Sequence, residues 1–504
     1  MKSLSKKQEL FLTLIVFVIA VAIGFYLRYV AASTLPMIND EGSYLFDAYL
    51  LGQGHLPFLT SFSRAPVFMI PLALWLKIFG VSILSGRLFA VLVSLGSSVV
   101  LYFLGKELKG KALGVVAFVI FATISPVAIH GSYVLTENLE IFLGLLGSLF
   151  LIYSLRTRPW FLSIASGVCF GLAIATRETA AVYPLFLCIA ILVLRFSKQT
   201  LLRLALCGLA TFGVWAVMWG GIASQVGLGH VVKNFQAILK MHSTGVKVST
   251  GFVIREKLGE IWYLKIDYLI FYLSTIAFAI LAVTKKWWRN KQIWFLLAIA
   301  GGPILFYGVY YQRIQPEYFA SFMPGFTLMM AYVVVAIYEW LKTRSASVVT
   351  SVGIAGVIIF GITNLLTFTY QLKNNRTGTF YLQPMANVVA WFQVNTQPTD
   401  EIFTAAVGIP MFSGRHLALN ISRPVIYGYP HIKSDIKYAL FPTPQAIMDY
   451  LTVNQTKYYI VEKATRDSFY NGHSELKQFL ESNFKHLKTF PNPTNPIEVW
   501  IRNP

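Results

Sequence analysis

Charge is what this chain has least of. Only 13% of its 504 residues are Asp, Glu, Lys or Arg, and 22 acids stand against 42 basic residues. A soluble domain carries roughly 25% charge, so water-facing surface is scarce here. With 56% hydrophobic residues and a mean hydropathy of +0.60, the chain holds more apolar surface than a soluble fold of its size could bury. Cysteine is scarce too: Cys169, Cys188 and Cys207 all fall inside apolar runs, which excludes a disulfide framework for the polar parts. A glycine-rich phosphate-binding fingerprint is missing behind every strand-like run near the C-terminus, so no nucleotide site is read there. His230 and His242 lack a ligand-spacing motif and read as solvated or lipid-facing.

What is present is a series of eleven apolar runs: about Leu10–Tyr29, Leu88–Leu104, Ala112–Val127, Leu139–Leu155, Phe161–Ala175, Ala180–Leu194, Leu204–Ile222, Trp262–Val283, Ile293–Tyr310, Tyr318–Trp340 and Val348–Phe368. In lipid, where backbone groups must be satisfied internally, such runs are helices. The formal net charge of +20 raises nucleic acid as a partner, but its placement argues against it. Lys2, Lys6 and Lys7, Lys106 to Lys111, Arg156 and Arg158, Arg195 to Arg203, Lys285 to Lys291, and Lys342 with Arg344 occupy every second connection. That alternation is a topology signal, which puts the N-terminus in the cytoplasm of a multi-pass plasma-membrane protein.

The expected architecture is a polytopic α-helical membrane domain, 1–370, with a soluble extracytoplasmic α/β domain, 371–504. The 31–84 loop is expected to carry interfacial helices over Tyr44–Leu51 and Val67–Phe79. In the C-terminal part the pattern predicts helices at Met385–Val394, Pro444–Thr452 and Ser474–Asn483. Strands are expected at Glu401–Ala406, Tyr458–Val461, His486–Phe490 and Ile497–Ile501.

Polar residues gather at one membrane boundary: Asp40, Glu41 and Tyr44, then Arg64, His130, Tyr133 and Glu137, Arg177, and Arg313. Acids and arginines so placed are costly and mark function. Sugar transfer from a lipid phosphate needs a carboxylate to take the acceptor proton and cations for the departing phosphate. Asp40 or Glu41 suits the base; Arg64, Arg177 and Arg313 suit the phosphate; Tyr44, His130 and Tyr133 suit sugar or acceptor contacts. Oxygen ligands from Asp40, Glu41 and Glu137 could hold a divalent cation, although the spacing does not demand one. Plainer readings compete. Asp40 and Glu41 could serve a helix N-terminus, Arg64 and Arg313 could snorkel to headgroups, and Arg177 could pair locally with Glu178.

Asp40-Glu41, Arg64-Ala65-Pro66-Val67, Leu84-Ser85-Gly86-Arg87, Thr136-Glu137 and Gly171-Leu172-Ala173-Ile174-Ala175-Thr176-Arg177 fall in one order along residues 8 to 370. Together they resemble class C membrane glycosyltransferases of the protein O-mannosyltransferase and lipid A aminoarabinose transferase superfamily. The resemblance implies an inverting transferase, with Asp40 as the catalytic acid of the first outer loop, Glu137 as the second-loop acid and Arg177 as the lipid-phosphate cation. Arg64 then matches a lysine of a Lys-Pro-Pro-like motif, with Ala65 replacing the first proline and Ser63 standing where some relatives carry Glu or His. The implied partners are a polyprenyl-phosphate-linked sugar, an acceptor hydroxyl on a protein, lipid or glycan, and membrane lipid. A transporter or flippase of lipid-linked sugars is the rival from another class, disfavoured because acids cluster at one boundary and the halves do not repeat.

Overall fold

The computed structural model describes residues 5–55, 66–157, 159–229, 231–232, 265–305, 316–344, 346–374, 381–404, 406–420, 444–463, 474–493 and 495–504. In chain order the helices are α1 (Lys6–Thr34), α2 (Asn39–Gly52), α3 (Pro66–Phe79), α4 (Ile83–Lys109), α5 (Lys111–Thr123), α6 (Ser125–His130), α7 (Thr136–Thr157), α8 (Phe161–Thr176), α9 (Val182–Arg195) and α10 (Lys198–Val226). They continue as α11 (Lys265–Thr284), α12 (Lys291–Leu305), α13 (Met323–Leu341) and α14 (Ala346–Asn374). Helix is therefore found at each of the eleven expected runs, the third being divided between α5 and α6, while 262–264 of the eighth and 306–310 of the ninth lie outside the described residues. Seven helices among the described residues are long and apolar enough to cross a membrane, and Lys111–Thr123, Phe161–Thr176, Tyr268–Thr284 and Lys291–Leu305 are shorter apolar helices. The chain is a multi-pass membrane protein.

Two compact units divide it: Met1–Ser33, Arg87–Val217 and Val248–Asn374 in the first, and Thr34–Gly86, Met218–Lys247 and Asn375–Pro504 in the second. In the first unit α7 lies along α8, α9 along α12, and α13 packs on both α5 and α11. Close packing is set by small residues. A Cβ on Gly167 would sit 2.2 Å from the Cys207 carbonyl oxygen, and one on Gly171 2.7 Å from that of Thr211, so the G-x-x-x-G face of α8 meets α10 backbone to backbone. One end of this unit is basic and well tied. Lys109 Nζ lies 2.8 Å from Glu339, Lys111 Nζ 3.2 Å from Glu9, and Arg156 pairs with Glu107.

In the second unit α2 packs on α3. Helix α3 buries Phe68, Met69 and Leu72 but exposes Ile70, Leu74 and Ile78, so it is apolar on both sides rather than amphipathic. The remaining elements are α15 (Leu382–Asn395), β1 (Glu401–Thr404), α16 (Gly408–Ser413), β2 (His416–Leu417), α17 (Pro444–Val453), β3 (Tyr458–Glu462), α18 (Ser474–Asn483), β4 (Phe484–Phe490) and β5 (Ile497–Arg502). The strands form one sheet in the order β2-β1-β3-β5-β4, parallel across β2-β1-β3 and antiparallel across β3-β5-β4. Its core is Phe403, Leu451, Tyr459, Val461, Leu476, Leu480 and Phe484. Helix α16 reaches back to α2, where Gly42 and Gly408 both close on the Met37 side chain.

Candidate active site

The first turn of α7 and the C-terminal end of α8 create the most highly charged interior of the first unit. Helix α8 stops at Arg177, whose backbone is extended (φ −158°, ψ 127°) while its N–H still donates to Ala173 O at 2.9 Å. From there the guanidinium reaches α7. Its Nη1 lies 2.5 Å from Glu137 Oε1 and 3.6 Å from Glu140 Oε2. Glu137 and Glu140 are three residues apart and so share a helix face. Glu140 is wholly buried and neither carboxylate oxygen receives a hydrogen bond; Glu137 also accepts from Thr136 Oγ1 at 3.1 Å. Arg177 is thus bracketed by two carboxylates on one α7 turn. The sequence reading gave Glu137 and Arg177 separate roles, acid of the second outer loop and cation for the lipid phosphate, and missed Glu140, whose only signal was its spacing inside an apolar run.

The end of α6 and the segment leading from it into α7 carry the other expected contacts. His130 Nε2 lies 2.7 Å from Tyr268 Oη on α11, and its Nδ1 has no hydrogen-bond partner. Desolvation lowers the His130 imidazole from 6.5 to about 4, which keeps it neutral at physiological pH. Tyr133 is buried under the Arg87 guanidinium, 5.2 Å from ring centroid to carbon, and Arg87 donates to Ala32 O at 2.8 Å. Asn138 holds the segment by donating to the Tyr133 carbonyl at 2.9 Å.

The second unit carries Asp40, Glu41 and Tyr44 on α2. Both acids occupy its first turn, where the helix dipole favours negative charge, and no side chain caps the preceding Ile38 position. Asp40 is exposed while Glu41 is fully buried. Tyr44 packs edge-on to Phe68 of α3, 5.7 Å between centroids. Asp47, two turns along α2 and 4% exposed, is a further buried acid that sequence reasoning passed over. Arg64 and Arg313 lie outside the described residues, as do His230 and His242. Among the described residues no group of three or more His, Cys, Asp or Glu gathers to hold a metal ion.

The architecture is shared with solved membrane glycosyltransferases. The apo structure of ArnT from Cupriavidus metallidurans superposes with a TM-score of 0.66 at 13% identity, covering 96% of this chain and 97% of that one. The same protein bound to undecaprenyl phosphate gives 0.65 at 12%, over 96% and 97%. An Archaeoglobus fulgidus oligosaccharyltransferase tethered with an acceptor peptide gives 0.59 at 14%, over 96% of this chain and 73% of that one. The fold is that of the class C glycosyltransferases. In sequence, residues 63–220 match the family model of dolichyl-phosphate-mannose-protein mannosyltransferase. No curated protein matches the chain. The family match over residues 63–220 and the shared fold both agree with the resemblance drawn from the motifs.

Proposed function

We propose that this enzyme transfers a sugar, with inversion, from a polyprenyl-phosphate donor to an acceptor hydroxyl on the outer face of the plasma membrane. Asp40 takes the hydroxyl proton, the acceptor oxygen bonds to the anomeric carbon, and the carbon–oxygen bond to phosphate breaks with its electron pair leaving on the lipid phosphate. Arg177 holds that phosphate, assisted by Arg64 and Arg313; Glu41 and Glu137 position the acceptor or a cation, and Tyr44, His130 and Tyr133 contact sugar or acceptor. The observation that carries this reading is Arg177 itself, a cation bracketed by Glu137 and Glu140 where α8 ends, inside the segment that matches the mannosyltransferase family. Undecaprenyl phosphate bound to the ArnT of like fold supports a lipid-phosphate donor. The domains would divide the labour, residues 1–370 carrying the chemistry and residues 371–504, outside the cytoplasm, holding or selecting the acceptor.

The test uses purified full-length enzyme with a panel of radiolabelled polyprenyl-phosphate sugars, comparing wild type, Asp40→Asn and Arg177→Gln. Loss of transfer in Asp40→Asn with donor binding retained, and a raised donor KM in Arg177→Gln, are expected. Full activity of Asp40→Asn would remove the base assignment. Labelled lipid crossing a bilayer without any transfer would replace the enzyme by a flippase.

A further inference from the structure

Arg28 is a fully buried cation near the C-terminal end of the apolar helix α1, and its hydrogen bonds define a device with no part in the bond-making and bond-breaking steps. Arg28 Nε donates to Ser94 Oγ at 3.1 Å, Nη1 to Gly24 O at 3.0 Å and to Ala122 O at 2.5 Å, and Nη2 to Phe121 O at 3.2 Å. Among the described residues it has no carboxylate in ion-pair range. A charge in such a place is expensive and is kept for a reason.

The reason lies where α5 ends and α6 begins. Pro126 has no N–H to give Ala122 O, and Ile124 takes an extended conformation (φ −70°, ψ 132°), so the helical ladder breaks. Ile124 N–H still reaches Ile120 O at 2.8 Å and Ala128 N–H reaches Ile124 O at 3.0 Å. Between them the carbonyls of Phe121, Ala122 and Thr123 and the N–H of Ser125 lose their helical partners. Unmet backbone groups at membrane depth cost several kcal/mol each. Arg28 takes the first two carbonyls, and its charge complements the helix C-terminus. Asn364 of α14 takes the rest: its Nδ2 donates to Thr123 O at 2.8 Å and its Oδ1 accepts from Ser125 N–H at 2.6 Å. Two side chains far apart in sequence thus bridge one break.

A second link ties Arg28 to the segment beyond the break. Ser94, its hydroxyl partner, lies so close to Gly131 that a Cβ there would sit 2.3 Å from Ser94 Oγ. Gly131 leads through Tyr133 into the α7 turn that holds Glu137, and Asn138 fastens that stretch by its bond to Tyr133 O.

We propose that Arg28 and Asn364 are positioning residues for sugar transfer, acting through the α5–α6 break to set the Glu137 turn. This rests on the reading of Glu137 as a member of the transfer site. Arg28→Lys keeps the charge but loses the planar fork that serves two carbonyls at once; Asn364→Leu keeps the bulk and removes both bonds of the amide.

The experiment is a double-mutant cycle on full-length enzyme in detergent. Arg28→Lys and Asn364→Leu are each made in wild-type and Glu137→Gln backgrounds, with single-turnover product accumulation followed over hours and thermal midpoints recorded. Residues acting as one unit are non-additive, so each substitution should lower the transfer rate about tenfold or more in the wild-type background and less than about twofold in the Glu137→Gln background. Donor KM should stay near wild type. Equal fold-losses in both backgrounds would leave Arg28 and Asn364 as purely structural and overturn the proposal. A Glu137→Gln enzyme at full rate would overturn it differently, by removing Glu137 from the site. If Asn364→Leu does not fold, Asn364→Gln replaces it in the same cycle, and wild-type rates in that variant and in Arg28→Lys would also overturn the proposal.

Discussion

Arg177 and its two acids set the local energetics of the first unit, because a guanidinium and two carboxyl groups share an interior from which water is largely excluded. Removing one partner of a buried ion pair leaves the other uncompensated, at a cost of about 3–5 kcal/mol, whereas removing a buried carboxyl group that lacks hydrogen bonds recovers its desolvation penalty. Glu140 receives no hydrogen bond and is wholly buried; Glu137 is bonded by Arg177 and Thr136. Arg177→Leu is therefore expected to destabilise by about 3–5 kcal/mol, and Glu140→Leu to be neutral or stabilising. Chemical denaturation in detergent would compare the two, and a Glu140→Leu loss as large as that of Arg177→Leu would contradict this ordering. His130 adds a pH term of definite sign. Its imidazole is held at about 4 when folded against 6.5 for the ordinary group, so the unfolded chain binds more protons between those values. Its stabilising contribution is full above pH 6.5 and lost as pH falls towards 4. Wild type should lose more of its thermal midpoint between pH 7.5 and pH 5 than His130→Gln does.

At the level of elements, α8 has to lie flat on α10 for Arg177 to be delivered to α7. The Gly167 and Gly171 face allows it: Gly167 has the Cys207 carbonyl oxygen 2.2 Å from where a Cβ would stand, while Gly208 on α10 has open space. Gly167→Ala should therefore force the two helices apart, lowering the melting temperature and the activity together. Gly208→Ala should raise stability slightly through helix propensity. Equal melting temperatures for the two variants would show that this contact does not hold α8. Elements of this kind were legible in the sequence because hydropathy and turn residues act locally: helix is found at all eleven runs, only the third of them being broken in two at Ile124, and the expected helix at Ser474–Asn483 has those bounds. What was not legible depends on long-range partners. The Ser125-Pro126 break gave no warning that Arg28 and Asn364 bridge it. Glu140 was hidden by apolar neighbours, and α16 and β2 are too short to show a period. Of the nine expected site residues, Glu137 and Arg177 meet directly, His130 and Tyr133 sit on the segment leading to α7, and Asp40, Glu41 and Tyr44 share α2. Arg64 and Arg313 fall outside the described residues.

For the whole molecule the open quantity is which way the helices run through the membrane. In the first unit Lys109, Lys111, Arg156 and Lys291 mark one end. Lys109 joins α4 to α13 through Glu339, Lys111 joins α5 to α1 through Glu9, Arg156 joins α7 to α4 through Glu107, and Lys291 Nζ donates to the α9 carbonyl of Leu194 at 3.1 Å. The Arg177 cluster occupies the opposite end of α7 and α8. Lysine and arginine near span ends are retained on the cytoplasmic side, so the basic end is expected inside and the Arg177 end outside. Lipid-linked sugars presented at the outer face would then meet the Arg177 end, and the C-terminal sheet would lie outside as well. Two exposed positions read this out: Lys285, in the turn before α12, and Val453, at the end of α17 and 79% exposed. With the native cysteines replaced, a membrane-impermeant maleimide applied to intact cells should label Val453→Cys and leave Lys285→Cys untouched until the membrane is permeabilised. Labelling of Lys285→Cys on intact cells would invert the topology, and with it the side from which donor and acceptor reach Arg177.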